Sequence, residues 1–408
     1  MFFDKLAFSN YNIANSLPEI KMNIDQKSTI LVTCTPGLMP FLQAEIEQLG
    51  YSVTSTHETG VELSASLADA MLLNLHLRTA LNVIFLLKEF DCRTPEDLYV
   101  NTFALPWEDI VPPDGYLTVA SRVDTPAINN TMFPSLKVKD AIVDRILQQT
   151  GKRPDSGPDR HRLVFQLFWK NDRAWLYLNT SGRKISDRGY RKMPHKAPLR
   201  ESLAAGIILA AGYDGRQSFV APMCGSGTFP IEAALLAQQR PPGLLRPAFG
   251  FMYLKDFDDA RWQTLRSQAR KLSQKAAAPA RIIASDIDTQ AINAAKKNAA
   301  TAGVEHIIEF YTCDFADTPI PRQPGLVILN PEYGQRLGEI AQLEATYKRI
   351  GDFFKQHCPG YTGYIFTGNP DLAKKVGLRT SRKIPFFNAD IECRLLKYDL
   401  YPGTRKTT

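Results

Sequence analysis

Cysteine is scarce and scattered in this chain. The six residues, Cys34, Cys92, Cys224, Cys313, Cys358 and Cys393, form no Cys-x-x-Cys pair, which argues against zinc and redox motifs. A disulfide scaffold has no purpose at a length of 408 residues. Long apolar runs are missing too. The Leu-rich stretch Ala70–Leu87 is broken by Asn74, His76, Arg78 and Asn82, which argues against a bilayer span. Asp4 and Lys5 interrupt the first residues, so no secretory signal is expected. These absences leave the expectation of a cytoplasmic, soluble, multidomain protein without a metal site.

Hydrophobic residues make up 44% of the chain and charged residues 22%, enough apolar material for more than one core and too much for disorder. The net charge of +7 is unevenly spread. Residues 1–150 carry a net −8, residues 151–200 a net +9, and residues 201–408 a net +6. A local basic excess of this kind fits either a solvated face or a polyanionic partner, nucleic acid before membrane.

Residues 1–27 read as a polar tail. A small α/β module follows over residues 28–93, with strands at Thr29–Thr33, Val61–Ser64 and Val83–Phe90 and helices at Phe41–Leu49 and Leu67–Asn82. A second module over residues 94–182 carries a helix with apolar spacing at Val138, Ile142 and Ile146, then strands Leu163–Trp169 and Ala174–Asn179. Residues 183–196, with Arg183, Lys184, Arg188, Arg191, Lys192, His195 and Lys196 around Tyr190, read as a basic linker. From residue 197 to 408, strands alternate with helices. That pattern predicts a doubly wound, mostly parallel sheet. Two apolar strands near Ile384–Asn388 and Cys393–Tyr398 leave no room for a helix between them and predict an antiparallel edge hairpin.

Four motifs fall at predicted strand ends. Pro222-Met223-Cys224-Gly225-Ser226-Gly227-Thr228 stands between a strand and a helix, where glycines let the backbone approach a ligand and helix amides can hold a carboxylate. It is not a P-loop, since no Lys-Ser/Thr follows the last glycine. Ser285-Asp286-Ile287-Asp288 ends the next strand. Asp288 suits the cap of the following helix, which leaves Asp286 for the two hydroxyls of a ribose. Gly227 and Asp286 stand 59 positions apart, too far for a compact dinucleotide site. Asp314, with Phe315 beside it, could accept from an adenine amine. Asn330-Pro331-Glu332-Tyr333-Gly334 is the most specific of the four. An exocyclic aromatic amine is a poor nucleophile, because its lone pair is delocalised into the ring. Alkylating it requires fixed acceptors for its two N–H groups. The Asn330 side-chain oxygen and the Pro331 carbonyl supply two, and Tyr333 offers a stacking face. Cys224 has no neighbour in sequence that would activate a thiolate, so packing is its expected role.

Together the four motifs resemble class I S-adenosylmethionine-dependent methyltransferases. The segments PMCGSGTFPIEAA, ASDIDTQAINAAKKNA, NPEYGQRLG, SGRKISDRGYR and APLRESLAA, with SLKVKDAIVD earlier, are similar in order to the THUMP-containing guanine-N2 methyltransferases of bacterial 23S rRNA. The resemblance covers about residues 28–400. It implies a ferredoxin-like segment and an RNA-binding THUMP domain ahead of a Rossmann-like catalytic domain. By it, residues Pro222 to Thr228 hold the methionyl part of the cofactor, Asp286 and Ile287 the ribose side, and Asp314 and Phe315 the adenine. Asn330, Pro331 and Tyr333 then hold a flipped guanine. Lys137, Lys139, Arg183, Arg188, Arg191 and Lys192 are the expected phosphate contacts. Two positions depart from the pattern. Ala221 stands where the family's glycine motif usually opens with Asp, and Glu332 replaces the second Pro of Asn-Pro-Pro-Tyr. Two alternatives stay open: the same chemistry on tRNA guanine, or a non-catalytic RNA-binding or ribosome assembly factor.

Overall fold

The computed structural model describes residues 25–130, 132–193, 199–275, 280–333 and 337–401. Most of the expected tail, His195 and Lys196 of the expected linker, and Gly334 of the acceptor motif lie outside the described residues.

The N-terminal half opens as β1 (Ser28–Cys34), α1 (Met39–Gln48), β2 (Val53–His57), β3 (Gly60–Ala65), α2 (Leu67–His76) and β4 (Ala80–Asp91). Their sheet order β2-β3-β1-β4, with antiparallel neighbours, is that of a ferredoxin-like split βαβ unit. Ser66 and Asp69 form a capping box that starts α2. That helix ends at His76, earlier than its apolar pattern predicts, because Ala80 already pairs in β4. The half continues with α3 (Pro95–Phe103), α4 (Trp107–Ile110), β5 (Tyr116–Asp124), α5 (Phe133–Thr150), β6 (Asp155–Ser156), β7 (Leu163–Lys170) and β8 (Arg173–Asn179). The predicted stripe Val138, Ile142 and Ile146 is fully buried on α5, which stops at left-handed Gly151. The two expected modules share one eight-stranded sheet, because β4 pairs antiparallel with β8 across the boundary.

The C-terminal half contains α6 (Glu201–Ala210), β9 (Ser218–Pro222), α7 (Thr228–Ala237), α8 (Asp259–Lys275), β10 (Ile282–Asp286), α9 (Thr289–Ala302), β11 (Ile308–Thr312) and β12 (Gly325–Leu329). It closes with α10 (Leu337–His357), β13 (Thr362–Thr367), α11 (Pro370–Lys375), β14 (Arg382–Asn388) and β15 (Ile391–Asp399). The sheet order is β11-β10-β9-β12-β13-β15-β14. Its first five strands pair in parallel, while β15 and β14 form an antiparallel edge hairpin. The order turns around between β9 and β12, which opens a crevice at the carboxyl ends of those strands. Both halves contribute to one continuous apolar core, with Leu38, Leu42 and Leu75 from the first and Leu203, Phe249 and Phe251 from the second.

The segment expected as a basic linker is instead bonded into this joint. Arg188 is fully buried. It pairs with Glu232 and also donates to the carbonyls of Ile185 and Arg78. Arg246 donates to the carbonyls of Ser181, Arg183, Lys184 and Asp187. Each buried cation would be costly to leave unpaired, so the joint is held by geometry as well as by apolar burial.

Candidate active site

All four motifs lie at the carboxyl ends of parallel strands, around the crevice between β9 and β12. The glycine loop follows β9. Met223, Gly225 and Gly227 all have positive φ, at 56°, 55° and 87°. Gly227 is the N-cap of α7, and a Cβ there would come within 2.9 Å of Ala295 on α9. Only glycine meets both the left-handed backbone and the close helix approach. A Cβ on Gly225, by contrast, would face open space.

Asp286 ends β10 and turns toward this loop. Its Oδ2 accepts the Gly225 amide at 2.9 Å, and its Oδ1 accepts the Asp288 amide at 3.0 Å. Each carboxylate oxygen keeps a lone pair for another donor. Asp288 caps α9, accepting from the Gln290 amide. Ile287, between the two, is 72% exposed. Cys224 is half-buried, and burial, then the nearby Asp286 carboxylate, pushes its thiol pKa well up, away from the thiolate form.

After β11, Asp314 Oδ1 accepts from the Ala316 amide at 2.9 Å and from Arg349 of α10 at 2.7 Å. Burial opposes its charge, but these donors win and its pKa is lowered. Phe315 is buried and packs edge-on against Phe353, with the Arg349 guanidinium 4.8 Å above its ring. The ring face expected to be free is therefore covered by Arg349, a residue that sequence spacing does not link to Asp314.

After β12, Asn330 Oδ1 is buried and has no hydrogen-bond partner among the described residues. A buried amide oxygen normally finds a donor, so this acceptor is poised for an incoming N–H. Pro331 is buried and Glu332 is exposed. Tyr333 is half-buried with its ring against Gly368. Its hydroxyl accepts from Asn388 of β14 at 2.9 Å, so the edge hairpin fixes the ring's angle. Burial raises the pKa of this phenol and keeps it neutral. Ala221 is fully buried in β9 and brings no carboxylate to the crevice.

Two residues expected at an RNA surface are structural instead. Arg188 is enclosed as described above. Arg191 clamps the glycine loop, donating to Ser226 Oγ and Thr228 Oγ1 at 3.1 Å each, to the Leu199 carbonyl, and to Glu201. Burial raises the Glu201 pKa against the pull of Arg191. Asn298 of α9 finishes the support. It is fully buried, donates to the Ser226 carbonyl and accepts the Lys192 and Met193 amides. An Asn on the apolar, alanine-rich side of α9 was the available sequence signal for this role. Of the remaining expected cations, Lys192 is exposed and Arg183 is half-exposed beside Asp187. Lys137 and Lys139 pair with Glu96 and Asp140.

A parallel sheet with a glycine loop, an acidic strand end and an Asn-Pro-x-Tyr strand end in this order has the architecture of a class I methyltransferase domain. Residues 188–397 match the RMKL-like methyltransferase domain family, and the chain belongs to it. Residues 29–84 match the RlmL ferredoxin-like domain and residues 92–179 the THUMP domain. The ribosomal RNA large subunit methyltransferase K/L of Syntrophotalea carbinolica is 36% identical over 386 residues, covering 92% of this chain and 54% of that protein. Its counterpart in Cellvibrio japonicus is 37% identical over 380 residues, covering 90% of this chain and 50% of that protein. The chain thus spans about half the length of the curated relatives it matches. The solved structure of SMU.472 complexed with SAH superposes with a TM-score of 0.82 at 26% identity, covering 93% of this chain and all of that one.

Proposed function

We propose that this protein transfers a methyl group from S-adenosylmethionine to the exocyclic N2 amine of a guanine in RNA, with 23S rRNA as the substrate. The observation that carries the reading is the buried, unpartnered Asn330 Oδ1 at the switch point of the sheet.

The crevice residues fit the cofactor. Open space at Gly225 and the amides at the start of α7 suit the methionyl carboxylate. Asp286 retains acceptor capacity for the ribose hydroxyls, and exposed Ile287 offers an apolar face to the adenine. Asp314 accepts from the adenine amine on lone pairs that Arg349 leaves free. S-adenosylmethionine supplies an electrophilic methyl group on a sulfonium. The chain's own residues do the rest by positioning and electrostatics. Asn330 Oδ1 and the Pro331 carbonyl accept the two N–H groups of the guanine amine, directing its lone pair at the methyl. Tyr333 stacks the flipped base at the angle set by Asn388. No covalent link to the chain is required.

The relatives named as ribosomal RNA large subunit methyltransferases support rRNA over tRNA, and the THUMP match supports RNA as the substrate. Mass mapping of nucleosides in 23S rRNA and tRNA from a strain lacking the protein tests the reading. Loss of one N2-methylguanosine from 23S rRNA is expected, and an unchanged rRNA with a depleted tRNA would transfer the activity to tRNA. Calorimetric titration with S-adenosylmethionine separates both from a non-catalytic factor, which would bind none.

A further inference from the structure

Beside the acceptor motif, a cleft of about 470 Å³ opens on the hairpin side of the sheet. Gly368 lies in its wall and also packs against the Tyr333 ring, so the cleft adjoins the acceptor motif. Its floor is apolar, formed by Ala373, Leu378 and Leu396. Its rim carries Lys374, Arg379, Lys383 and Arg394 against the single carboxylate of Glu392. Arg394 is paired with Glu392, and Lys374 with Asp371. Arg379 and Lys383 are exposed and have no partner among the described residues.

An apolar floor under unpaired cations suits a polyanion that also presents flat apolar faces. Single-stranded RNA has both features: phosphates for the cations and bases for the floor. We propose that this cleft holds the RNA strand flanking the target guanine. Arg379 and Lys383 take its phosphates, and a neighbouring base lies over Leu378 and Leu396. The proposal rests on the RNA methyltransferase reading. It places a grip on the substrate in the catalytic domain, outside the basic stretch 151–200 that charge alone singles out. Two buried or clamping arginines of that stretch are already committed to the fold.

The test is binding of a 23S rRNA transcript and of a ten-nucleotide single-stranded RNA to the full chain across a salt series. Wild type is compared with an Arg379→Gln/Lys383→Gln double variant and with Arg216→Gln, a change at a solvated arginine away from the crevice. The double variant is expected to bind both RNAs about tenfold more weakly at low salt. Its log–log salt slope should fall by roughly 0.7 per cation removed. Its KM for rRNA should rise while kcat at saturation and S-adenosylmethionine affinity stay as in wild type, which also reports a folded protein. Arg216→Gln should match wild type. Equal affinity and slope for the double variant and wild type, with rRNA methylation intact, would overturn the cleft and leave the enzymatic reading standing. A wild type that binds and methylates no RNA would bring both down.

Discussion

Arg188 and Glu232, 44 residues apart in the chain, form an ion pair with both side chains fully buried. Burial works against the arginine's charge, but Glu232 more than offsets it and raises its pKa. Tyr190 donates to the same carboxylate. Glu232→Gln leaves a buried guanidinium without its counter-charge, at a cost of about 3–5 kcal/mol. A drop of that size in the unfolding free energy from urea denaturation is expected. Arg188→Met combined with Glu232→Leu should recover most of it, because the isolated charge is then gone. A Glu232→Gln protein as stable as wild type would show that the pair does not hold the joint.

Asn330→Ala removes the orphaned acceptor and leaves the glycine loop untouched. Methyl transfer to rRNA should fall by about a hundredfold or more. Calorimetric affinity for S-adenosylmethionine should change little. Activity near the wild-type level would take Asn330 out of the acceptor role.

Asp286 and Asp288 stand two residues apart but do different work. Asp286→Ala releases the Gly225 amide and removes the proposed ribose acceptor, a loss of about 1.5–3 kcal/mol for a charged hydrogen bond. Cofactor affinity should therefore fall by roughly ten- to a hundredfold. Asp288→Ala removes only a helix cap, costing about 1 kcal/mol of stability with cofactor affinity kept. Equal effects of the two changes on cofactor binding would contradict this division.

His76, at the end of α2, has its pKa pushed down to about 4 by burial and then by the adjacent Arg78 charge. The folded protein holds it neutral, whereas the unfolded chain protonates it near pH 6.5. Stability from this group is thus present above about pH 6.5 and is lost as pH falls toward about 4. At about 1.4 kcal/mol per unit the loss reaches at most about 3.5 kcal/mol, less after solvent screening at this partly open site. The difference in unfolding free energy between His76→Gln and wild type should change with pH over that window and be flat above it. A pH-independent difference would dismiss the proton linkage.

Much of the C-terminal half was legible in one dimension. Helix α9 starts at Thr289, directly after the cap expected at Asp288, because a capping Asp is a local property. The edge hairpin was legible for a similar reason: two short apolar runs without a helix between them have one economical pairing. The second N-terminal strand, β2, was not. Its Ser- and Thr-rich sequence is half exposed and lacks a clean alternation.

The basic stretch is the clearest limit of sequence charge. Lys192 and Arg183 reach solvent, while Arg188 and Arg191 turn inward to Glu232, Glu201, Ser226 and Thr228. The sign of the charge is the same in all four, and only the partner that the fold brings near decides between surface and core.

The sequence by itself determined the order of motifs, their positions at strand ends and the residue types they offer, since each depends on neighbours within a few positions. Only the tertiary structure decided that the four strand ends meet at one crevice, that Arg349 covers Phe315, and that Arg191 braces the glycine loop. Those relationships join residues 34 or more positions apart. Nothing in local propensity encodes them. They follow from sheet order and from the cost of leaving a buried charge or amide unpaired.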